Sequence, residues 1–145
     1  MRKVTYFAGA VFIVALSMLV VNAQEKFSKV VTDATRWDPI DFAAPQECSA
    51  SPEECAVKML TELKIDVGNE PEFSVYPIGK TDDGNVTVVF VSQLIENDDL
   101  IMGKLFRLEL DKSDQADLTY SLDGLGVMYQ CMDGKEGWRK TPCGT

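Results

Sequence analysis

This 145-residue chain contains no histidine. The side chains that remain as the main candidates for catalysis or metal binding are its carboxylates and cysteines. Without an imidazole there is no Ser-His-Asp triad, no Cys-His pair and no histidine-based metal centre. The 23 acidic residues leave a pair of carboxylates as the remaining acid–base design, but no spacing singles out two of them. No glycine-rich phosphate loop is present either. We therefore predict that the protein is not an enzyme, with a carboxylate-based hydrolase or lyase as the alternative.

The four cysteines, Cys48, Cys55, Cys131 and Cys143, predict a disulfide framework, because an even count is typical of short exported chains. Three pairings are open, and the local one (48 with 55, 131 with 143) is the simplest, since each pair brackets its own loop. Each such loop would contribute about 2.5 to 3 kcal/mol in the chain-entropy model. A four-cysteine zinc site is the alternative, but neither spacing resembles a zinc knuckle. No C-x-x-C redox motif is present, and we predict no metal and no cofactor.

Arg107 is a candidate binding residue on a mixed face of a predicted β-hairpin. We expect that face to carry Val89 and Val91 as well, so that apolar and polar groups lie side by side. Its other expected members are Thr87, Leu105 and Glu109. Such a face would either receive a partner or be covered by the segment from Phe27 to Trp37, and we favour the cover.

Trp138 and Arg139 are the second pair of candidate binding residues. With Lys140 they form the clearest basic and aromatic cluster of an acidic chain, within the tail GKEGWRKTPC. Tryptophan and arginine are frequent interface anchors. The alternative is that Trp138 plugs the end of the sheet inside a loop closed by Cys131 and Cys143.

The hairpin consists of two β-patterned runs, Val86 to Leu94 and Ile101 to Leu110, joined by a short acidic connection. Alternation in the second run indicates a half-buried strand, with Phe106, Leu108 and Leu110 on one face. Further strands are predicted at Phe73–Ile78, Leu118–Leu122 and Val127–Met132. Turns are predicted at Asp83-Gly84 and Asp123-Gly124. Pro77 suits an edge strand.

A helix is predicted to begin after Ser51, because Ser51, Pro52 and Glu54 form a capping box with proline at the first helical position. Its apolar stripe contains Cys55 and Met59 and must lie on the sheet. A shorter helix is expected from Phe27 to about Arg36. The fold class is therefore α+β, with one or two N-terminal helices on a four- to five-stranded antiparallel meander and two disulfides. This order resembles cystatin-like and similar α+β folds.

The acidic residues gather in the predicted connections. In a meander, Asp82 and Asp83 would lie near the connection after Leu110. At the opposite end we expect Glu96, Asp98, Asp99 and Asp123. Such clusters suit calcium, but Asp, Asn and Gly are also what turns prefer. No loop has the D-x-D-x-D-G pattern, so we favour turn chemistry.

The N-terminus has the parts of a secretory signal peptide: MRK, an apolar run from Val4 to Val21, and Ala23 before a polar stretch. We predict cleavage after Ala23, giving a signal peptide at 1–23 and one α+β domain at 24–145. An uncleaved anchor is the alternative, and membrane contact is then limited to this segment. Cleavage leaves 12 basic against 23 acidic residues, a formal net charge of −11, which disfavours nucleic acid as a partner.

The C-terminal half resembles small exported bacterial proteins of uncharacterised function whose last strand ends in Cys, a Gly-containing loop, Trp and a final Cys. The resemblance covers roughly Val86 to Cys143 and depends on Cys131, Gly134, Trp138 and Cys143. It implies a Gram-negative envelope setting and a Cys131–Cys143 pair. It implies no activity.

Together these observations predict a small periplasmic or secreted domain that binds an envelope protein or a small ligand without catalysis. A protein inhibitor of an exported enzyme is the alternative suggested by size, disulfides and fold analogy, beside the carboxylate-based hydrolase. The sequence does not specify the partner.

Overall fold

Four long antiparallel strands and one α-helix make up most of the computed structural model, which describes residues 33–43, 47–81, 84–96, 98–113, 119–135 and 137–144. In chain order the elements are a 3₁₀ turn (Ala34–Arg36), β1 (Asp38–Pro39), β2 (Glu47–Cys48), α1 (Pro52–Glu62), β3 (Glu72–Thr81), β4 (Gly84–Leu94), β5 (Ile101–Lys112) and β6 (Tyr120–Cys131). The six-stranded sheet has the order β1-β6-β5-β4-β3, and β2 also pairs with β6. The predicted signal peptide and most of the predicted first helix lie outside the described residues.

Helix α1 begins where the sequence predicts it. The hydroxyl of Ser51 accepts the N–H of Glu54 at 3.2 Å, and the Glu54 carboxylate accepts the N–H of Ser51 at 3.2 Å. Pro52 occupies the first turn. Cys55 and Met59 are fully buried and belong to the core that α1 forms with the sheet. The capping box and the apolar stripe therefore have the predicted roles.

The helix covers the sheet face that contains Val89 and Val91 of β4. Val89 lies opposite Leu108, and Val91 lies opposite Phe106, and none of the four is more than 3% exposed. The prediction that Val89 and Val91 share a face with Arg107 is therefore wrong. Alternation within each strand does not fix the register between strands, and a slip of one residue exchanges the two faces.

The opposite face is covered at Trp37, which precedes β1. Its ring stacks on Phe90, with centroids 5.4 Å apart and 14° between the ring planes. Trp37 is 2% exposed, and Phe90 lies opposite Arg107 in the β4–β5 ladder. The sequence predicts that the segment from Phe27 to Trp37 covers the Arg107 face. Trp37, the last residue of that segment, does cover it, and residues 27–32 lie outside the described part of the chain.

Strand β6 is continuous across Asp123 and Gly124, so the predicted turn there is wrong and the two predicted strands are one. Asp123 is the extra residue of a β-bulge, because Gly124 lies opposite Glu109 and Leu122 lies opposite Leu110. A Cβ on Gly124 would lie 3.0 Å from the Glu109 carboxylate. The glycine therefore allows a close approach across the strands rather than a chain reversal.

The continuous strand also corrects the predicted grouping of the acids. Asp123 lies in mid-strand at the step between Glu109 and Leu110. Asp98 and Asp99 precede β5 at its other end, so Asp123 does not gather with them. The predicted neighbours Asp82 and Asp83 lie outside the described residues.

Both disulfides have the local pairing, Cys48 with Cys55 and Cys131 with Cys143. The first bond attaches β2 to the first turn of α1. Disulfides are typical of oxidising extracytoplasmic compartments. In the described part of the chain, no helix is long and apolar enough to cross a membrane.

Strand β3 lies at the edge of the sheet, as Pro77 predicted. The register between β3 and β4 shifts between Pro77 and Gly79, so the proline coincides with an irregularity. Proline is tolerated at such a place because an edge strand need not donate every N–H.

Candidate functional site

An open cleft of about 540 Å³ lies between the end of α1 and one end of the sheet. Strand β1, the segment after α1 and the β4–β5 connection border it, and we call it the α1 cleft. Its lining residues are Asp38, Ile40, Lys64, Ile65, Asp66, Gln93, Ile95, Asp98, Lys104, Phe106, Val127 and Tyr129. A volume of this size is typical of small-molecule sites.

Two cross-strand rows form the floor of the α1 cleft. Phe106 lies opposite Val127, and Lys104 lies opposite Tyr129. Phe106 and Val127 are each 3% exposed, so the deep part of the floor is apolar. The half-buried side chains of Ile40, Ile65 and Ile95 add apolar walls.

Lys64 stands at the point where α1 ends, in an unusual conformation. The N–H of Ile65 binds the carbonyl of Leu60 at 2.8 Å, and the N–H of Lys64 binds that of Thr61 at 2.9 Å, which is a Schellman motif. Lys64 has φ = 60°, in the left-handed region where this motif normally has glycine. The helix thus ends at Glu62, with Leu63 as its C-cap.

The carboxylates of Asp66 and Asp98 on the rim are engaged by backbone groups. Asp98 accepts the N–H groups of Leu100 at 2.8 Å and Ile101 at 2.9 Å, and Asp66 accepts that of Gly68 at 2.8 Å. The two backbone bonds, with a smaller effect of the Lys104 charge, lower the pKa of Asp98. The lowered pKa favours the Asp98 carboxylate as an anion, and both side chains hold the backbone of their loops.

The two rim lysines are less engaged. Neither Lys64 nor Lys104 forms a side-chain hydrogen bond or ion pair with another described residue. Tyr129 is the cross-strand partner of Lys104, and its pKa is raised by burial and, secondarily, by the charge of Asp38. The cleft therefore combines an apolar floor with two ammonium groups that have no hydrogen bond or ion pair among the described residues. Three aspartates, Asp38, Asp66 and Asp98, belong to the same lining.

The residues predicted from the sequence as binding residues lie elsewhere. Arg107 is 4% exposed on the Trp37 side of the sheet and forms an ion pair with Glu109. Trp138 is 38% exposed and packs against Gly103, where a Cβ would lie 3.3 Å from its ring.

Arg139 joins the sheet through its backbone. Its N–H and carbonyl bind the carbonyl and N–H of Tyr129 at 2.9 and 2.8 Å. Its side chain binds Asp133 at 2.7 Å. The structure thus places Arg139 beside β6, and it does not bring Arg107, Trp138 and Arg139 together in the α1 cleft.

Sequence reasoning missed the cleft because its parts are distant in the chain. Asp38, Lys64 and Tyr129 meet only once β1 pairs with β6 and α1 lies on the sheet. The only local indication in the sequence was Ile95, two residues after the polar Gln93. Ile95 continues the alternating apolar pattern of β4 beyond the end of that strand. That signal does not specify a cavity.

Comparison of the chain with known protein families, with curated proteins and with solved structures finds no match. Among the described residues, no group of three or more acidic or cysteine side chains is arranged to hold a metal ion.

Proposed function

We propose that this protein is a non-catalytic binding module of the cell envelope, periplasmic or secreted, that holds a small amphipathic ligand in the α1 cleft. The ligand class is a molecule with an apolar body and an anionic end. The observation that carries the proposal is the combination of an apolar floor at Phe106 and Val127 with the available ammonium groups of Lys64 and Lys104.

The apolar floor supports burial of the ligand body. Removing apolar surface from water contributes about 25 cal/mol per Å² to the free energy of binding. Burial of the ligand body in a cleft of this size would therefore supply most of the affinity for the ligand. The two lysines would then orient the anionic end at the rim. Charged groups at a rim contribute specificity more than affinity.

The state of the rim acids supports binding rather than catalysis. A general acid needs a pKa near the working pH, whereas the pKa of Asp98 is lowered by backbone hydrogen bonds. Asp66 is likewise occupied by the N–H of Gly68. The Asp98 carboxylate therefore does not have the environment of a proton donor.

The envelope location is supported by two independent features. The disulfides Cys48–Cys55 and Cys131–Cys143 suit an oxidising compartment. The N-terminal basic and apolar pattern ending at Ala23 is that of an export signal. The acidity of the chain makes nucleic acid an unfavourable partner.

The test uses two fluorescent probes with the same kind of apolar body. One is 8-anilinonaphthalene-1-sulfonate, which carries an anionic group, and the other is N-phenyl-1-naphthylamine, which is neutral. We expect saturable binding of both to the folded protein. Ile95→Gln should weaken both by about fivefold or more, because it removes an apolar wall worth roughly 1 kcal/mol or more. Leu94→Gln is the matched control, since Leu94 is 81% exposed and lies outside the cleft.

The lysines are tested separately with the same probes. Lys104→Gln should weaken the sulfonate probe by about threefold and leave the neutral probe unchanged, because a partly exposed ion pair is worth up to about 1 kcal/mol. Lys58→Gln is the control, because Lys58 pairs with Glu62 on the exposed side of α1. Absence of saturable binding, or equal affinities for wild type and Ile95→Gln, would overturn the proposal.

A further inference from the structure

The two disulfides occupy different environments. Cys48 and Cys55 are 6% and 0% exposed and lie in the core between α1 and the sheet. Cys131 and Cys143 instead line a surface cavity of about 270 Å³. Cys131 is 5% exposed, whereas Cys143 is only half-buried. Cys143 is therefore the more exposed residue of the second disulfide, and we expect a small thiol to approach it from solvent.

A guanidinium group lies against the other sulfur. The Nε of Arg139 donates to Sγ of Cys131 at 2.9 Å, while Nη1 binds the Asp133 carboxylate at 2.7 Å. The backbone of Arg139 is fixed by its two hydrogen bonds to Tyr129. Lys135 lines the same cavity. A positive group beside a cysteine sulfur favours the thiolate, and a better-stabilised thiolate is a faster leaving group in disulfide exchange.

We infer that Cys131–Cys143 is a thiol-exchange site, in which an external thiol attacks Cys143 and Cys131 departs as a thiolate beside Arg139. The attacking thiolate forms a bond to Sγ of Cys143 while the Cys131–Cys143 bond breaks, and the electron pair of that bond moves to Sγ of Cys131. A second thiolate then attacks the external sulfur of the mixed disulfide, the bond from that sulfur to Sγ of Cys143 breaks, and Cys143 leaves as a thiolate. Two thiols are oxidised to one disulfide, and the protein gains two electrons and two protons. The co-reactant is a thiol or dithiol of the envelope.

The consequence of exchange is local. Cys143 is the covalent attachment of the C-terminal tail to β6, and Gly144 lies against the side chain of Leu100. Reduction removes that attachment, whereas the Tyr129–Arg139 backbone pair and the hydrogen bond from Lys140 to the Thr35 carbonyl do not depend on it. The Cys48–Cys55 bond remains in place because the core encloses it. Exchange would thus free the tail without opening the helix–sheet core.

The experiment measures the two disulfides of the folded protein side by side. The protein is incubated with reduced glutathione, quenched with N-ethylmaleimide, and digested for mass mapping of each cysteine. We expect Cys131 and Cys143 to react at least tenfold faster than Cys48 and Cys55. We also expect glutathione to be found on Cys143 in the mixed disulfide. Equal rates for the two disulfides, or glutathione found mainly on Cys131, would overturn the inference.

Two variants separate the charge of Arg139 from simple loosening of the loop. Arg139→Gln and Asp133→Asn both break the Arg139–Asp133 ion pair. If charge matters, Arg139→Gln slows reduction by about fivefold, because the leaving thiolate loses its cation. Asp133→Asn accelerates it, because a competing anion is removed. Arg139→Lys should remain near the wild-type rate. Acceleration by both Arg139→Gln and Asp133→Asn would indicate loosening alone and would overturn the role of Arg139.

Discussion

The ring of Trp37 lies 5.4 Å from that of Phe90, and the same tryptophan fills the space above Gly126. A Cβ on Gly126 would be 2.7 Å from the Cβ of Trp37. The next residue, Asp38, pairs with Val127 and lines the α1 cleft. Side chains alternate between the two faces along a strand. Trp37 therefore packs on one face of the sheet, and the next residue, Asp38 of β1, places its carboxylate on the opposite face, in the α1 cleft.

This relationship predicts that Gly126→Ala is destabilising. The new methyl group meets the Cβ of Trp37, which cannot move without displacing the stacked ring, so we expect a loss of about 1 to 3 kcal/mol. Gly124→Ala is the matched control in the same strand. Its methyl group meets the end of the flexible Glu109 side chain at 3.0 Å, so its cost should be smaller. Urea unfolding of both variants measures the difference, and equal costs would contradict the packing argument.

The sequence predicted those features of the fold that are determined by residues close together in the chain. The capping box of Ser51 and Glu54 located the start of α1. The local cysteine pairing, the simplest of the three that the sequence left open, is the observed one. Pro77 correctly marked an edge strand. In each of these cases the deciding interaction spans a short stretch of sequence.

Predictions failed where distant residues decide the structure. The Asp123-Gly124 pair has the composition of a turn, but contacts with Glu109 from another strand make it a bulge. The face of Val89 was misassigned because register depends on pairing with β5. The α1 cleft requires Asp38, Lys64 and Tyr129 to meet, and no local pattern encodes that meeting.

The pH dependence of stability should report on Asp98. Its pKa is lowered in the folded protein, chiefly by the N–H groups of Leu100 and Ile101. A lowered folded-state pKa contributes stability above the unfolded value, near pH 4, and that stability is lost as the pH falls through the folded value. Asp98→Asn keeps an acceptor oxygen but cannot ionise. We expect the variant to be less stable than wild type at pH 6 and the difference to shrink as the pH falls below the unfolded pKa, near 4.

Thermal or urea unfolding at several pH values provides that comparison. Glu96→Gln is a suitable control, because no backbone hydrogen bond to its exposed carboxylate is observed in the described residues. A stability difference for Asp98→Asn that does not change with pH would show that the charge of Asp98 has no part in holding the loop.

Export and oxidation are tested together by the intact mass of the protein from an envelope fraction. We expect the chain to begin at Gln24 and to lack four hydrogen atoms, as two disulfides require. Mass measured under denaturing, non-reducing conditions gives both results. Under native conditions, additional mass would correspond to a retained ligand. A full-length chain with free thiols would contradict the proposed envelope location.

Substitutions of Lys64 allow its effect on the free energy of unfolding to be compared with its effect on ligand binding. A residue other than glycine at φ = 60° costs roughly 1 to 2 kcal/mol of stability. Substitution by glycine removes this cost, but part of the gain is lost because glycine has greater conformational freedom in the unfolded chain. Lys64→Gly should therefore raise the free energy of unfolding by about 0.5 to 1 kcal/mol. Lys64→Ala should not, because alanine keeps the Cβ that makes this conformation unfavourable.

The two variants remove the same ammonium group from the α1 cleft. If Lys64 orients an anionic ligand, both should weaken the sulfonate probe by about threefold while leaving the neutral probe unchanged. The chain would then retain a strained lysine because it contributes to binding, which is the usual reason for strain at a functional site. Unchanged binding in both variants, together with greater stability of Lys64→Gly, would mean that Lys64 has no role in the cleft.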